Sequence, residues 1–326
     1  MVFVCAAAAQ LPRIGDIHVY GLHKISAGAV LSAAHLETGE VIPGSRGDLE
    51  GRIAGISGIA AVQVLPDCCQ GDRADLYVGI LEEGQPSATF RQPPTGTSEL
   101  PAATMKTYRE FRGAALRAEL KGGGDEILSD GHQLSADPEV RELQNRLLIY
   151  ARTHFESLSK ILRTAADPEQ RQAAATILVY SARKTLASGE LLAAMQDPDE
   201  TVRAYAAHAL SAIATLAQKQ PALGIRIPAK PFVDLLNSAV LSDREESIKT
   251  LLVLTSKKSA ATLDLIRAHS LPDLAEMARW KNARYALPAF QLLGRIAGLA
   301  DSDVRASWDN GDHDAVIQKA LGGALQ

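Results

Sequence analysis

The residues able to do chemistry are few and scattered. The eight histidines are His18, His23, His35, His132, His154, His208, His269 and His313. No two stand four apart on a helix, and none sits in an H-E-x-x-H or paired-cysteine frame. His18, His23 and His35 share one stretch without a zinc-type ligand pattern, so no metal site is assigned. His208, between Ala207 and Ala209, reads as a residue on an exposed helix face. Cys68 and Cys69 are adjacent, where a bridge strains the peptide link and a metal would need ligands from elsewhere. Asp309-Asn310-Gly311-Asp312-His313-Asp314 lacks the twelve-residue calcium loop and reads as a turn with a helix cap, and Asp301-Ser302-Asp303 is a second acidic cluster. No lysine or threonine follows Gly122-Gly123-Gly124 in phosphate-loop spacing, and no nucleophile elbow or nucleotide fingerprint occurs. The expectation is no catalytic residue, no metal and no cofactor.

What remains is surface. Lys219 to Lys230 interrupts a helical pattern and carries Lys219, Arg226 and Lys230 around Leu223, Ile225 and Ile227. Apolar side chains among basic ones suit a partner contact if the stretch protrudes; the alternative is that it tucks over the helices. The net charge of −4 argues against a dedicated nucleic-acid binder. Across 326 residues, hydrophobic residues make up 46%, charged residues 22% and aromatics only 5%. Such a composition suits one large or two ordinary globular domains built on closely stacked helices. No apolar run approaches the length of a membrane span. Met1 to Gln10, apolar and ending in small residues, resembles the end of a secretory signal. It suggests an exported, periplasmic or cell-envelope protein, or a cytoplasmic one if Met1 is the true start.

The elements that would position these residues fall into two parts. Residues 14–83 read as a small α+β unit of order β-α-α-β-β. Its strands are Ile14–Tyr20, Ile59–Leu65 and Ala74–Leu81, its helices Ala27–His35 and Asp48–Gly55, and Pro66–Arg73 is a turn. Ile17-His18-Val19-Tyr20-Gly21, Ile25-Ser26, Asp48-Leu49 with Ile53, Gly58-Ile59, Val62-Gln63-Val64 and Asp75-Leu76-Tyr77-Val78 resemble a POTRA (polypeptide-transport-associated) domain. That resemblance implies binding of other chains outside the cytoplasmic membrane, often by strand addition at an exposed sheet edge.

Residues 84–104, with Pro86, Pro93, Pro94 and Pro101, read as a linker. A helix over Met105–Leu120 and a loop to Asp137 follow. Then Asp137-Pro138, Asp167-Pro168 and Asp197-Pro198 stand thirty residues apart, a period that marks a stacked helical array within 105–326. Glu139–Ala165 reads as a single apolar stripe with a bend near Thr153. Asp197-Pro198, Val202-Arg203 and the alanine-rich run after them resemble HEAT repeats of the short phycobilisome-lyase type. Asp167-Pro168 keeps the pattern but has Gln170-Arg171 at the Val-Arg place. The resemblance implies a mainly α, armadillo-type α-α superhelical solenoid. Each aspartate should cap a helix, and Arg203 should reach acidic or carbonyl groups of a neighbouring repeat. The functional expectation is a non-enzymatic scaffold that binds protein partners through the solenoid surface and the edge of the N-terminal sheet. The alternative is a HEAT-repeat enzyme resembling bilin lyases or DNA glycosylases; the acidic balance and few aromatics count against the glycosylase.

Overall fold

The computed structural model of the chain describes residues 12–123 and 125–322, without the side chains of Cys68, Cys69 and Gln70. The signal-like Met1–Gln10 and the side chains of the adjacent cysteines thus lie outside the described residues. Two compact units form: one of residues up to Ser87 together with Asn237–Leu241, the other of Ala88–Leu236 and Ser242 onward.

The first unit has β1 (Arg13–Tyr20), α1 (Ala27–Ala34), α2 (Arg46–Ala54), β2 (Ile59–Gln70) and β3 (Arg73–Glu82). The sheet order is β1-β3-β2, with β1 parallel and β2 antiparallel to β3. Alternating apolar residues of the strands meet the helices in a core of Ile14, Val30, Leu49, Ile53, Val64, Leu76 and Ile80. Ser26 and Ser45 start the helices by accepting the amides of Ala29 and Asp48 at 3.2 Å each. The turn expected over Pro66–Arg73 shrinks to Gly71-Asp72, and β2 runs on through Pro66 to Gln70. Proline is tolerated there because β2 is an edge strand. The amide of Val64, two residues earlier and on the same side, turns away from β3 to the carboxylate of Glu50. Glu82, at the end of β3, is buried and accepts the backbone amides of His23, Lys24 and Ile25 at 2.8–2.9 Å. Burial would raise its pKa, but those amides hold it below the usual carboxylate value. Within this unit the Tyr20 hydroxyl donates to the carbonyl of Ala239 at 2.7 Å. Gly79 lies where a Cβ would come within 1.9 Å of that carbonyl oxygen.

The second unit is a stack of helices with one hairpin. It comprises α3 (Ala102–Leu120), β4 (Glu126–Ser129), β5 (His132–Ser135), α4 (Pro138–Ala151), α5 (Phe155–Thr164), α6 (Pro168–Leu178), α7 (Lys184–Ala194) and α8 (Glu200–Lys219). Then come α9 (Lys230–Leu235), α10 (Leu241–Leu254), α11 (Ala260–His269), α12 (Leu271–Met277), α13 (Ala283–Ile296), α14 (Asp301–Asp309) and α15 (His313–Gly322). α4, α6 and α8 pack successively in one layer and α5 against α7 in the other, the two-layer arrangement of a HEAT-like α-α solenoid. Its core is alanine-rich where helices approach closely, at Ala173, Ala174, Ala206 and Ala209, with Leu178, Leu191, Leu210 and Phe232 filling the spaces.

Two sequence expectations change here. Glu139–Ala165 is not one helix. It breaks at Arg152–His154 into α4 and α5, because each repeat must fold back to bury its stripe. The loop before Asp137 is a β-hairpin, turned by Asp130 and Gly131, both at positive φ. That is the type I′ geometry an Asp-Gly pair favours.

Candidate functional site

The repeat marks act as joints. Asp137 accepts the amides of Glu139 and Val140, and Asp167 that of Glu169, with Pro138 and Pro168 opening α4 and α6. On the third rung the expected cap moves. Asp199, not Asp197, caps α8 by accepting the amide of Val202. Caps thus stand thirty and then thirty-two residues apart, although the Asp-Pro pairs keep thirty. An arginine four residues after each cap turns back to the carbonyl six residues before itself: Arg141 to Ser135, Arg171 to Ala165, Arg203 to Asp197. The arginines also join repeats. Arg171 grips Asp197 through two 2.9 Å bonds, and Arg203 grips Asp243 at 2.9 and 2.8 Å, all buried. Arg203 therefore does what the resemblance implied, and Arg171 does the same from a non-matching Gln-Arg pair.

Asp197 is freed from capping by a further duty. Fully buried, it takes Arg171, the Arg91 guanidinium and the amide of Asp199. Arg91 belongs to the stretch expected as a linker. From Ala88 to Pro101 that stretch lies along the helices as a strap. Gly96 exchanges backbone bonds with Thr164 and Ala166, and the amide of Leu100 donates to Gln170 at 2.7 Å. The Gln170 departure from the repeat pattern thus has a reason: its amide oxygen holds the strap.

The basic insertion does not present its isoleucines. Ile225 and Ile227 pack on the helical core, while Arg226 between them is exposed. Leu223, in the 3-10 turn Pro221–Leu223, stays 44% exposed, Lys219 is exposed, and Lys230 pairs with Asp234 at 2.7 Å. Of the apolar residues named there, Leu223 alone remains open for a partner. The β2 edge is also narrowed. The Val64 amide is taken by Glu50, and Pro66, the next residue facing outward, has no amide to offer.

The concave site is elsewhere. A cavity of about 230 Å³ lies over α4, α6 and α8 beneath α3 and the β4–β5 hairpin. Its walls are the rings of Phe111, Tyr180 and Tyr205, with Val179, Ala204 and Ala209. At one side His208 stands between two carboxylates, Nε2 at 3.4 Å from Glu126 and Nδ1 at 3.4 Å from Glu246. Sequence reading set His208 on a bland exposed face; instead it lines the cavity, because the hairpin brings Glu126 over it. Burial alone would lower the His208 pKa, but the two carboxylates push it up to about 10. Burial would raise Glu246, yet His208 and Lys249 hold it at about 2. Lys249 reaches Glu246 Oε1 at 2.7 Å, and the buried Oε2 is the oxygen that faces His208 Nδ1. The Tyr108 hydroxyl is fully buried on α3 beside Tyr205 and Thr176, and burial raises its pKa. The sequence signal that could have led here is Asp130-Gly131 between apolar residues, a hairpin mark that fixes what lies over α8. Among the described residues no group of three or more His, Cys, Asp or Glu is placed to hold a metal ion, and no helix is long and apolar enough to cross a membrane.

Comparison with known proteins agrees with the helix pairs. The HEAT repeats family matches residues 155–233, which span α5 to α9. No curated protein matches the chain. Among solved structures it is similar to a designed armadillo repeat protein in complex with the peptide (KR)4, at 16% identity over 69% of this chain and 98% of that one, TM-score 0.37. Another designed armadillo repeat protein is similar at 17% identity over 59% and 96%, TM-score 0.35. A third, from a set computationally designed for modular peptide recognition, is similar at 14% identity over 68% and 98%, TM-score 0.36. The fold assignment rests on the family match and on the stacked helix pairs.

Proposed function

We propose that the helical unit is a scaffold that binds a segment of a partner protein without doing chemistry of its own, and that the cavity beside His208 is its anchor point. The observation that carries this is the opening of an aromatic-walled cavity toward the surface of α3. Phe111 and Tyr205 line both the cavity and a shallow groove that continues past Arg112 and Leu116. Leu116 and Leu120, one turn apart on α3, are exposed although large and apolar, as is Ile127 on β4. Apolar residues gathered beside a concave site suit a protein contact better than a soluble substrate. The family match at the array supports a repeat scaffold; the phycobilisome-lyase form of the repeat remains part of the proposal.

The small unit is proposed as a POTRA-like module and the protein as an exported one, acting in the periplasm or cell envelope. Its strand order and apolar pattern support the first, and the signal-like start supports the second. Strand addition there is proposed at the free stretches of the sheet edges, away from Val64 and Pro66.

The scaffold reading is tested by selecting random displayed peptides on the full chain and retesting them on Ala204→Phe, which fills the cavity. Enriched peptides that lose about tenfold or more in affinity on the variant are expected. Failure to enrich any peptide, or enrichment indifferent to the filled cavity, would contradict it.

A further inference from the structure

We infer that the groove leading from the cavity along α3 takes an acidic side chain of the partner, paired with Arg112, close in sequence to an apolar side chain seated in the cavity. The inference rests on the scaffold reading and names the chemistry of the segment that the scaffold selects. The groove, about 540 Å³, is lined by Phe111, Arg112, Gly113, Leu116 and Tyr205. Phe111 and Tyr205 also wall the cavity, so a segment seated in one continues into the other.

Charge selects the occupant. Three arginines of α3 point outward, and two of them are answered. Arg109 donates twice to Glu169, at 2.9 and 2.5 Å, and Arg117 donates to Glu139 at 2.6 Å. Arg112 is exposed, with its guanidinium 5.9 Å from the centre of the Tyr108 ring, and among the described residues no carboxylate pairs with it. Glu169 acts on Arg112 only through space, its two oxygens being taken by Arg109. Two guanidinium groups thus share one carboxylate at the groove, leaving a positive charge. A carboxylate of the partner can meet Arg112 through two parallel bonds and cancel that charge, whereas a lysine or arginine would be repelled.

Shape agrees with a segment crossing there. Gly113 stands in the middle of α3, where glycine weakens a helix relative to alanine. The packing of the chain does not require it: a Cβ at that position would meet only the flexible end of Arg117, at 3.4 Å. The bare backbone beside Arg112 leaves room for the backbone of a partner to approach the helix closely.

The test displays random peptides to the full chain and keeps those whose binding Ala204→Phe weakens. These should carry aspartate or glutamate at a constant short spacing from an apolar residue. In synthetic copies of them, replacing that acid by its amide should lower affinity about fivefold, the upper range for an exposed ion pair, and added salt should shrink the difference. Arg112→Gln should cause the same loss for the acidic peptide and none for its amide version. Gly113→Leu should lower the affinity of both about tenfold while Tm holds or rises, since leucine is the better helix former. Enrichment of basic peptides, acidic peptides indifferent to Arg112→Gln, unchanged binding by the Gly113→Leu chain, or an oligonucleotide that competes equally through Arg112 overturns the inference and leaves the scaffold reading standing. Failure to enrich any peptide sensitive to the filled cavity removes both.

Discussion

Asp197 and His208 both place charge inside the helical unit, and they differ in how completely it is answered. Asp197 is sealed. Two guanidinium groups and a backbone amide occupy its oxygens. His208 is poised between carboxylates at 3.4 Å, longer than the ~2.7–2.9 Å of a tight charged hydrogen bond, and it lines a cavity. Saturated buried charge is architecture: it fixes the angle between repeats and the course of the strap. Partly answered charge at a concave surface is where a ligand gains most. The repeat motif, the most conspicuous feature of the sequence, therefore belongs to the scaffold, and the site lies under elements outside the repeat.

Mutations at the two sites should separate the sealed charge from the partly answered one. The largest effect is expected at Asp197→Ala, which strands Arg171 in the interior and releases Arg91. Urea denaturation should show a loss of about 3–5 kcal/mol, as for a buried pair robbed of one partner. Glu126→Gln at the exposed side of the cavity should cost under about 1 kcal/mol by the same assay. If the two losses were equal, the contrast would fail.

Next in size, Arg203→Met and Asp243→Leu should each destabilise strongly while the double variant loses less than their sum, because the pair can be replaced by apolar contact but not halved. Gly96→Ala should loosen the strap without unfolding the array. Its Cβ would lie 2.5 Å from the Thr164 carbonyl oxygen. Limited proteolysis should then cut within residues 84–104 faster than in the wild type, at a stability cost of about 1–2 kcal/mol. Unchanged cleavage would mean that the strap is not held there.

The remaining effects are pH slopes. His208 has its folded pKa raised to about 10, above the unfolded value of 6.5. Its contribution is therefore complete below about pH 6.5 and lost as pH rises through 10. His208→Gln should flatten the fall of Tm over that alkaline window. Glu82 behaves oppositely. Its folded pKa is lowered from 4.5, so its contribution is present above about pH 4.5 and lost as pH falls through the folded value. Glu82→Gln should remove the acid-side slope of the small unit's unfolding.

Much of the fold was legible because periodicity reports burial. The β-α-α-β-β order and the apolar faces follow from local alternation, and the helix starts from Ser26 and the Asp-Pro marks. The third rung misled because two aspartates, Asp197 and Asp199, compete for one cap. Only the position of Arg171, 26 residues upstream in sequence, decides which is spared for the joint. The strap was hidden since Arg91 and Gln170 act through backbone carbonyls and amides that no spacing reveals. The cavity was hidden for a related reason. Glu126, His208 and Glu246 come from β4, α8 and α10, and a hairpin read as loop removed the element that gathers them.

A partner segment is proposed to seat in the cavity rather than on the repeat joints or the basic insertion. Hydrogen–deuterium exchange of the full chain, with and without a display-selected peptide, tests it most directly. Protection is predicted in α3 around Phe111, in the β4–β5 hairpin and in α8 around Tyr205–Ala209, with residues 88–101 unchanged. Protection confined to Lys219–Lys230 or to the small N-terminal unit would contradict it.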